Sequence, residues 1–243
     1  MSCLKTLPIA YSGRISQASL INFAVDVNEL LPEIPAGLSL YRYKGSAVIS
    51  LADLQLSAIR PDFLPECCGL NYRHVALRVL IDQGERAPGV FFWKSFCMQP
   101  LLVCGGRLFT DYRLSRAEIR GEECFHLRQG DRFISYRLDE ADRPNVALGW
   151  ETASLNTAYA MHGRGLWQTR IRPEQWPLKP MRCHGFQTSF FRSANCISAF
   201  KTTEVLPFYR SVSLKLNSNI PWVQNNKKEN GHSSLPQQEY PSL

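Results

Sequence analysis

The chain has 243 residues, 44% of them hydrophobic and 20% charged, and its 28 basic against 21 acidic side chains give a formal charge of +7. This balance excludes a disordered chain and fits a globular protein with one main domain, which at this size buries roughly 70% of its extended-chain surface without help from disulfides or metal. No apolar run approaches the ~18 residues of a spanning helix. The arginines are scattered singly, without basic blocks or aromatic–basic repeats, so neither a membrane nor a specific nucleic acid is an expected partner.

The opening MSCLKTLPIAYSGR has too short an apolar core for a secretory signal, and a cytoplasmic protein is expected. Eight cysteines without a C-x-x-C pair then read as free thiols, mostly buried. Ser19 to Val27 is strand-like, and Asp26 is placed to cap a short helix from Val27 to Leu31 that Pro32 and Pro35 stop. Leu38 to Tyr43 and Ser46 to Leu56 read as strands around a tight turn at Lys44-Gly45. Ala58 to Leu70 reads as a loop. Leu70 to Ile81 resumes strand, with Tyr72, His74, Ala76 and Arg78 on one face and Arg73, Val75, Leu77 and Val79 on the other.

After a turn at Gly84 to Gly89 comes the most apolar stretch, from Gly89 to Cys104. Gly89 to Phe92 and Leu101 to Cys104 both read as buried strand, separated by Gln99-Pro100, with a sharp turn at Gly105-Gly106. Regular alternation would place Phe92 and Lys94 on one face and Phe91, Trp93 and Ser95 on the other. Ser115 to Arg120 and Glu122 to Leu127 form a half-exposed strand pair around Gly121, and Gly130 turns the chain into a strand from Asp131 to Leu138. Glu140 to Asn145 is a charged loop, and Gly149 to Tyr159 offers a weak helix opening capped by Thr152 or Ser154. Strand returns from Met161 to Arg172, Trp176-Pro177-Leu178 is a rigid packing element, and Val205 to Leu216 is the last strand. The polar composition from Asn217 onward predicts a disordered tail, leaving a single β-rich domain over residues 1–216.

Several segments in this order resemble the acetoacetate decarboxylase-like superfamily, and within it an uncharacterised, widely distributed branch of domain-of-unknown-function proteins. They are NFAVDVNELLPEIPAGLSL from Asn22, LSAIRP from Leu56, GVFFW from Gly89, GGRLF from Gly105, GRGLWQTRIRPEQWPL from Gly163 and LPFYRSVSL from Leu206. The resemblance implies a mainly β (α+β) fold: curved antiparallel sheets forming a cone or barrel around a pocket, with a few short peripheral helices. Decarboxylases of the superfamily form a Schiff base through a buried lysine whose pKa a neighbouring cation and an apolar wall depress. That lysine lies in a G-R-x-x-x-G-x-P-K-K-x-A pattern. Laid on Gly106 to Ala117, the pattern matches Gly106, Arg107 and Ala117 but puts Leu114 and Ser115 at the lysine pair, and the early-strand arginine falls on Ala24. The resemblance therefore implies the fold without the usual imine chemistry.

Lys94, between Trp93 and Phe96, is the alternative amine, because burial favours a neutral nucleophile. His74 and Glu151 are acid–base candidates, with His126 a further proton carrier. Arg107 and Arg113 follow the double glycine and offer forks for a carboxylate or phosphate, with Tyr112 and Phe109 as wall residues. His74, His126, His162 and His184 have no metal-ligand spacing, and no nucleotide or nucleophile-elbow motif appears, so neither metal nor cofactor is expected. The leading expectation is a binder of a small anionic or carbonyl-containing organic molecule. A lyase or hydratase acting on a keto acid through Lys94 or an acid–base pair is the second, and a non-enzymatic interaction protein the third. Open strand edges would allow a homodimer.

Overall fold

Extended backbone forms wherever the sequence alternates or runs apolar between turn residues. The computed structural model describes residues 9–84, 86–109, 114–141, 157–162, 165–172 and 176–216. β1 (Tyr11–Val25), α1 (Val27–Leu30), β2 (Ser39–Leu40), β3 (Arg42–Tyr43), β4 (Ser46–Pro61) and β5 (Leu70–Gln83) come first. β6 (Arg86–Cys97) leads through α2 (Pro100–Phe109) into β7 (Leu114–Arg116), followed by β8 (Glu118–Arg120), β9 (Cys124–Gln129) and β10 (Arg132–Glu140). The last are β11 (Thr157–His162), β12 (Gly165–Arg172), β13 (Lys179–Thr188), β14 (Ala194–Thr202), β15 (Leu206–Arg210) and β16 (Leu214–Lys215). No described helix is long and apolar enough to cross a membrane.

Local chemistry accounts for the punctuation. The Asp26 carboxylate accepts from the Asn28 backbone N–H at 2.8 Å and starts α1. Lys44 and Gly45 both take positive φ, 49° and 84°, the pairing that a two-residue turn between twisted strands requires. Gly130, at φ 59°, does the same between β9 and β10.

The sheet is mostly antiparallel and closes on itself. β1 pairs with β4, and the order then runs through β5, β6, β11, β12 and β15 back to β1, giving a curved, ring-like sheet. The second half of β1 also pairs with β14, from which a wing continues through β13, β10, β9 and β8. The wing lays one face over the outside of the ring. Ile119, Phe125, Leu127, Ile134, Tyr136 and Leu138 pack there against Ile21, Phe23, Ile49, Leu51, Val75 and Leu77. Alternation on β9 and β10 reflects this single buried face.

The ring's inward face carries two smaller apolar clusters. One joins Ile15, Ala18, Leu20, Ala52, Leu56 and Phe200 to Trp176 and Leu178, so the Trp176–Leu178 element packs as expected. The other joins Val48, Leu80, Val90 and Ala158, drawn from four strands of the ring. Because β1, β4, β5 and β6 bury both faces, their sequences read as near-continuous apolar runs.

Several expectations need correction. The thiols are not mostly buried: among the described cysteines Cys97 is buried, whereas Cys67, Cys68, Cys104 and Cys124 are exposed. Leu101 to Cys104 is not buried strand: it belongs to α2, with Leu101 87% exposed, and the backbone stays helical through Gly105-Gly106 instead of turning. The cause is topological. β6 and β7 pair in parallel, Ser95 opposite Leu114, and parallel neighbours need a long crossover, which α2 supplies. Ala58 to Leu70 is not all loop: β4 runs on to Pro61 past an irregularity at Ala58, whose φ is +52°. Thr157 to Tyr159 is strand rather than helix, and Gly149 to Asn156, like the tail from Asn217, lies outside the described residues.

Candidate functional site

Between the two inward apolar clusters lies a polar layer. Register places it: Asn22 on β1 is opposite Ser50 on β4 and Ser198 on β14, and Ser50 is opposite Arg78 on β5. Period-two alternation puts His74 and Ala76 on the same face as Arg78, as the sequence indicated. Ser95 joins them from β6, opposite Ala76. Arg210, Thr169 and Ser213 enter from the other side of the ring: Arg210 is opposite Ile171 and Tyr11, and Thr169 opposite Ala158.

These groups are deeply buried. Asn22 and Ser50 are fully enclosed, Ser95, His74, Ser198, Arg210 and Thr169 are nearly so, and Arg78 keeps 9% exposure. Asn22 donates to Ser198 Oγ at 3.0 Å, Arg78 to Ser50 Oγ at 2.8 Å and Arg210 to Ser213 Oγ at 3.1 Å. The Thr169 and Ser213 hydroxyls share a 2.6 Å hydrogen bond, and the Arg210 guanidinium lies 5.8 Å from the Tyr11 ring. Among the described residues no carboxylate stands within ion-pair range of Arg78, and its Nε and the Ser95 hydroxyl have no hydrogen-bond partner.

The electrostatics follow from burial. Loss of solvation lowers Arg78 from the ordinary guanidinium value to about 10, so it stays charged near neutrality. Burial, then the fields of Arg78 and Arg210, push His74 from 6.5 to about 4 and leave its imidazole neutral. A neutral histidine thus lies within the fields of two buried guanidinium groups.

The buried acid of the ring is committed elsewhere. Asp53, on the wing side of β4, receives both arms of the Arg73 fork at 2.8 and 2.7 Å, and Arg73 also reaches the Gly121 carbonyl at 2.6 Å. Burial pushes the Asp53 carboxyl up against the pull of Arg73. This pair straps the β8–β9 turn to the ring and takes no part in the polar layer.

Of the residues singled out from sequence, His74 is in this layer and Lys94 is not. A bulge in β6 pairs Leu77 with Lys94 but Arg78 with Phe92, so Trp93 is the extra residue. One inserted residue flips the faces: Lys94 points to the wing side with Trp93, and Ser95 turns inward with Phe92, the reverse of the regular pattern. Lys94 Nζ rides 4.5 Å over the Trp93 ring, whose indole N–H donates to Glu33 at 2.9 Å. Burial, then Arg132, lower the Lys94 amine, with Glu33 opposing.

Arg107 and Phe109 fall on α2 with their side chains outside the described residues, as do Tyr112, Arg113 and Glu151 entirely. Among the described side chains the histidines do not converge, and that of His162 lies outside them. His126 stacks on Phe133 on the wing, His184 pairs with Asp139 at 3.4 Å near the surface, and no group of three or more metal-ligating side chains occurs among the described residues. Arg78 and Arg210 were passed over as candidates. For Arg78 the signal was legible: it interrupts LRVLI, where apolar neighbours on both sides imply burial on both faces.

Comparison with known proteins agrees with this architecture. A family model described as an uncharacterized conserved protein, DUF2071, matches residues 13–212. No curated protein matches in sequence. Among solved structures, an acetoacetate decarboxylase-like enzyme from Sphingomonas wittichii RW1 superposes with a TM-score of 0.57 at 12% identity, covering 87% of this chain and 94% of that one. The enduracididine biosynthesis enzyme MppR complexed with pyruvate gives 0.57 at 13% identity, covering 89% and 93%. Acetoacetate decarboxylase from Legionella pneumophila subsp. pneumophila str. Philadelphia 1 gives 0.56 at 13%, covering 85% and 87%. The chain belongs to the DUF2071 family and has the acetoacetate decarboxylase-like fold.

Proposed function

We propose that the ring is a cone- or barrel-like enclosure whose polar layer binds a small organic anion, a carboxylate or a carbonyl-bearing acid. Arg78 is the anion clamp, with Arg210 and His74 beside it. The observation that carries this reading is Arg78 itself: a buried guanidinium with one hydroxyl partner and no acid among the described residues. Such a charge is costly unless something compensates it, and functional sites are where proteins keep such groups. An anion offers the missing lone pairs, and the apolar clusters on either side suit its hydrocarbon part. The pyruvate complex of a fold relative is in keeping with this class of ligand.

The usual imine chemistry has no amine at its usual place in this reading. Where the resemblance sets the lysine pair stand Leu114 and Ser115, and Leu114 is buried opposite Ser95. Calorimetric titration with pyruvate and acetoacetate tests the proposal. Wild-type protein binds one of them and Arg78→Met binds it at least tenfold more weakly, since charge-assisted hydrogen bonds contribute about 1.5–3 kcal/mol. No binding of either acid, or binding indifferent to Arg78, overturns it.

A second reading rests on Lys94, whose lowered pKa favours a nucleophilic amine in a lyase or hydratase acting on a keto acid. Its distance from the polar layer argues against it, because His74 lies on the opposite face of the sheet. Borohydride trapping in the presence of a keto acid decides: an adduct on Lys94 establishes the imine, and an unmodified Lys94 removes this reading.

A further inference from the structure

Away from the polar layer, two thiols meet where the wing joins the ring. Cys183 is on β13, opposite Leu138 of β10, and Cys196 is on β14, opposite Phe23 of β1. β13 and β14 run antiparallel, joined by residues 189–193, with Met181 opposite Ala199 as the last regular pair. Beyond that pair β14 is irregular: its register against β1 shifts between Asn22 and Phe23, at Cys196. There both side chains pack against the main core cluster and interact with each other, both half-buried, and both cysteines are free. The Cys196 sulfur also lies 3.9 Å from the Ser198 carbonyl.

We propose that Cys183 and Cys196 are a hydroperoxide-reactive dithiol that closes into a disulfide between β13 and β14. A thiol that donates to a neighbouring sulfur stabilises that sulfur as thiolate. The Cys183 thiol does this for Cys196, which is pushed down while Cys183 is pushed up. Cys196 is taken as the attacking sulfur in this proposal and Cys183 as the resolving one.

The steps balance with a hydroperoxide as the oxidant. The Cys196 thiolate attacks the peroxide O–O bond, giving a sulfenic acid and, with one proton taken up, one water from hydrogen peroxide. The Cys183 sulfur then attacks the sulfenic sulfur, its proton leaving with the displaced hydroxide as a second water, and the S–S bond forms. Two thiols are oxidised by two electrons and one peroxide is reduced. A disulfide asks for Cβ atoms about 3.5–4.5 Å apart, and facing side chains on neighbouring antiparallel strands have theirs about 4.5–5.5 Å apart, so closure needs only a small approach. The bond would pin the hairpin whose turn carries Phe190 and Phe191, which pack on Trp93 and, for Phe191, on Phe23.

Peptide mapping of the full chain tests this. Trypsin cuts after Arg182, Arg192 and Lys201, so the two cysteines fall in separate peptides, 183–192 and 193–201. After brief hydrogen peroxide treatment and alkylation without reduction, the expected product is these two peptides joined, lighter by two hydrogens and split by dithiothreitol. Recovery of both peptides separately alkylated, or carrying sulfinic or sulfonic acid without a linked pair, overturns the proposal. Oxidation at exposed Cys67 and Cys68 appears in a different peptide and does not interfere. The roles are tested by substitution: Cys183→Ser accumulates a dimedone-reactive sulfenic acid on Cys196, whereas Cys196→Ser leaves Cys183 alkylatable at the same dose. The opposite pattern refutes the assignment of nucleophile and resolver.

Discussion

Replacing Arg78 by methionine is expected to stabilise the ligand-free protein while abolishing its response to organic anions. The depression of Arg78 from the ordinary guanidinium value to about 10 has burial as its sole cause. At 1.36 kcal/mol per pKa unit this is ~3 kcal/mol held against the folded state near neutral pH. With only 9% of the residue exposed, solvent screening removes little of it. Methionine is close in length and apolar, so the desolvation cost disappears. Against this stands the hydrogen bond to Ser50, whose hydroxyl is left buried at a cost of about 1 kcal/mol. The net gain is ~2 kcal/mol, a rise in Tm of about 4–8 °C for a chain this size. The assay is thermal unfolding at pH 7 with and without pyruvate or acetoacetate. Ligand at a hundred times Kd stabilises the wild type by ~2.7 kcal/mol, and the variant should not respond. A variant destabilised by 2 kcal/mol or more, in a protein whose wild type ignores both acids, would show that Arg78 is a structural cation and refute the reasoning.

Three other measurements follow from the same physics. His74 falls from 6.5 to about 4 on folding, so the native state resists its protonation. Stability is therefore complete above pH 6.5 and declines between 6.5 and 4, by ~3 kcal/mol at the low end; urea midpoints against pH should lose this slope in His74→Gln. Asp53→Asn strands the Arg73 charge and should cost about 3–5 kcal/mol in urea unfolding, whereas replacing both by leucine should cost far less. Gly121 takes φ +67° and any Cβ there meets the Cys124 carbonyl, so Gly121→Ala should lower stability by about 1–3 kcal/mol and loosen the β8–β9 turn. Equal urea midpoints for Gly121→Ala and wild type would contradict the strain.

Within the acetoacetate decarboxylase-like fold of this chain, the polar layer draws its guanidinium groups from β5 and β15. The resemblance leaves the early-strand arginine position to Ala24 and the lysine pair to Leu114 and Ser115. Arg78 on β5 and Arg210 on β15 place guanidinium groups in the polar layer. Ser50 holds the Arg78 guanidinium without neutralising it, because a hydroxyl accepts a hydrogen bond and carries no charge.

What the sequence alone determined is local or one-faced: the Asp26 cap, the turns at Lys44-Gly45 and Gly130, the alternation of β9 and β10, and the common face of His74, Ala76 and Arg78. Each is decided within a few residues, by a side chain reaching its own backbone or by period-two geometry. The ordered motifs of the resemblance carried the fold class. Tertiary structure decided the rest. The Trp93 bulge, which turns Lys94 away from the ring, exists because β6 must stay in register with β5 on both sides of it. α2 replaces an expected strand because β6 and β7 are parallel neighbours, and no turn can link them. Arg210 reaches the field of His74 across more than a hundred residues of chain only because the sheet closes on itself; periodicity says which side chains share a face, and closure decides which face is inside and whose charges meet there.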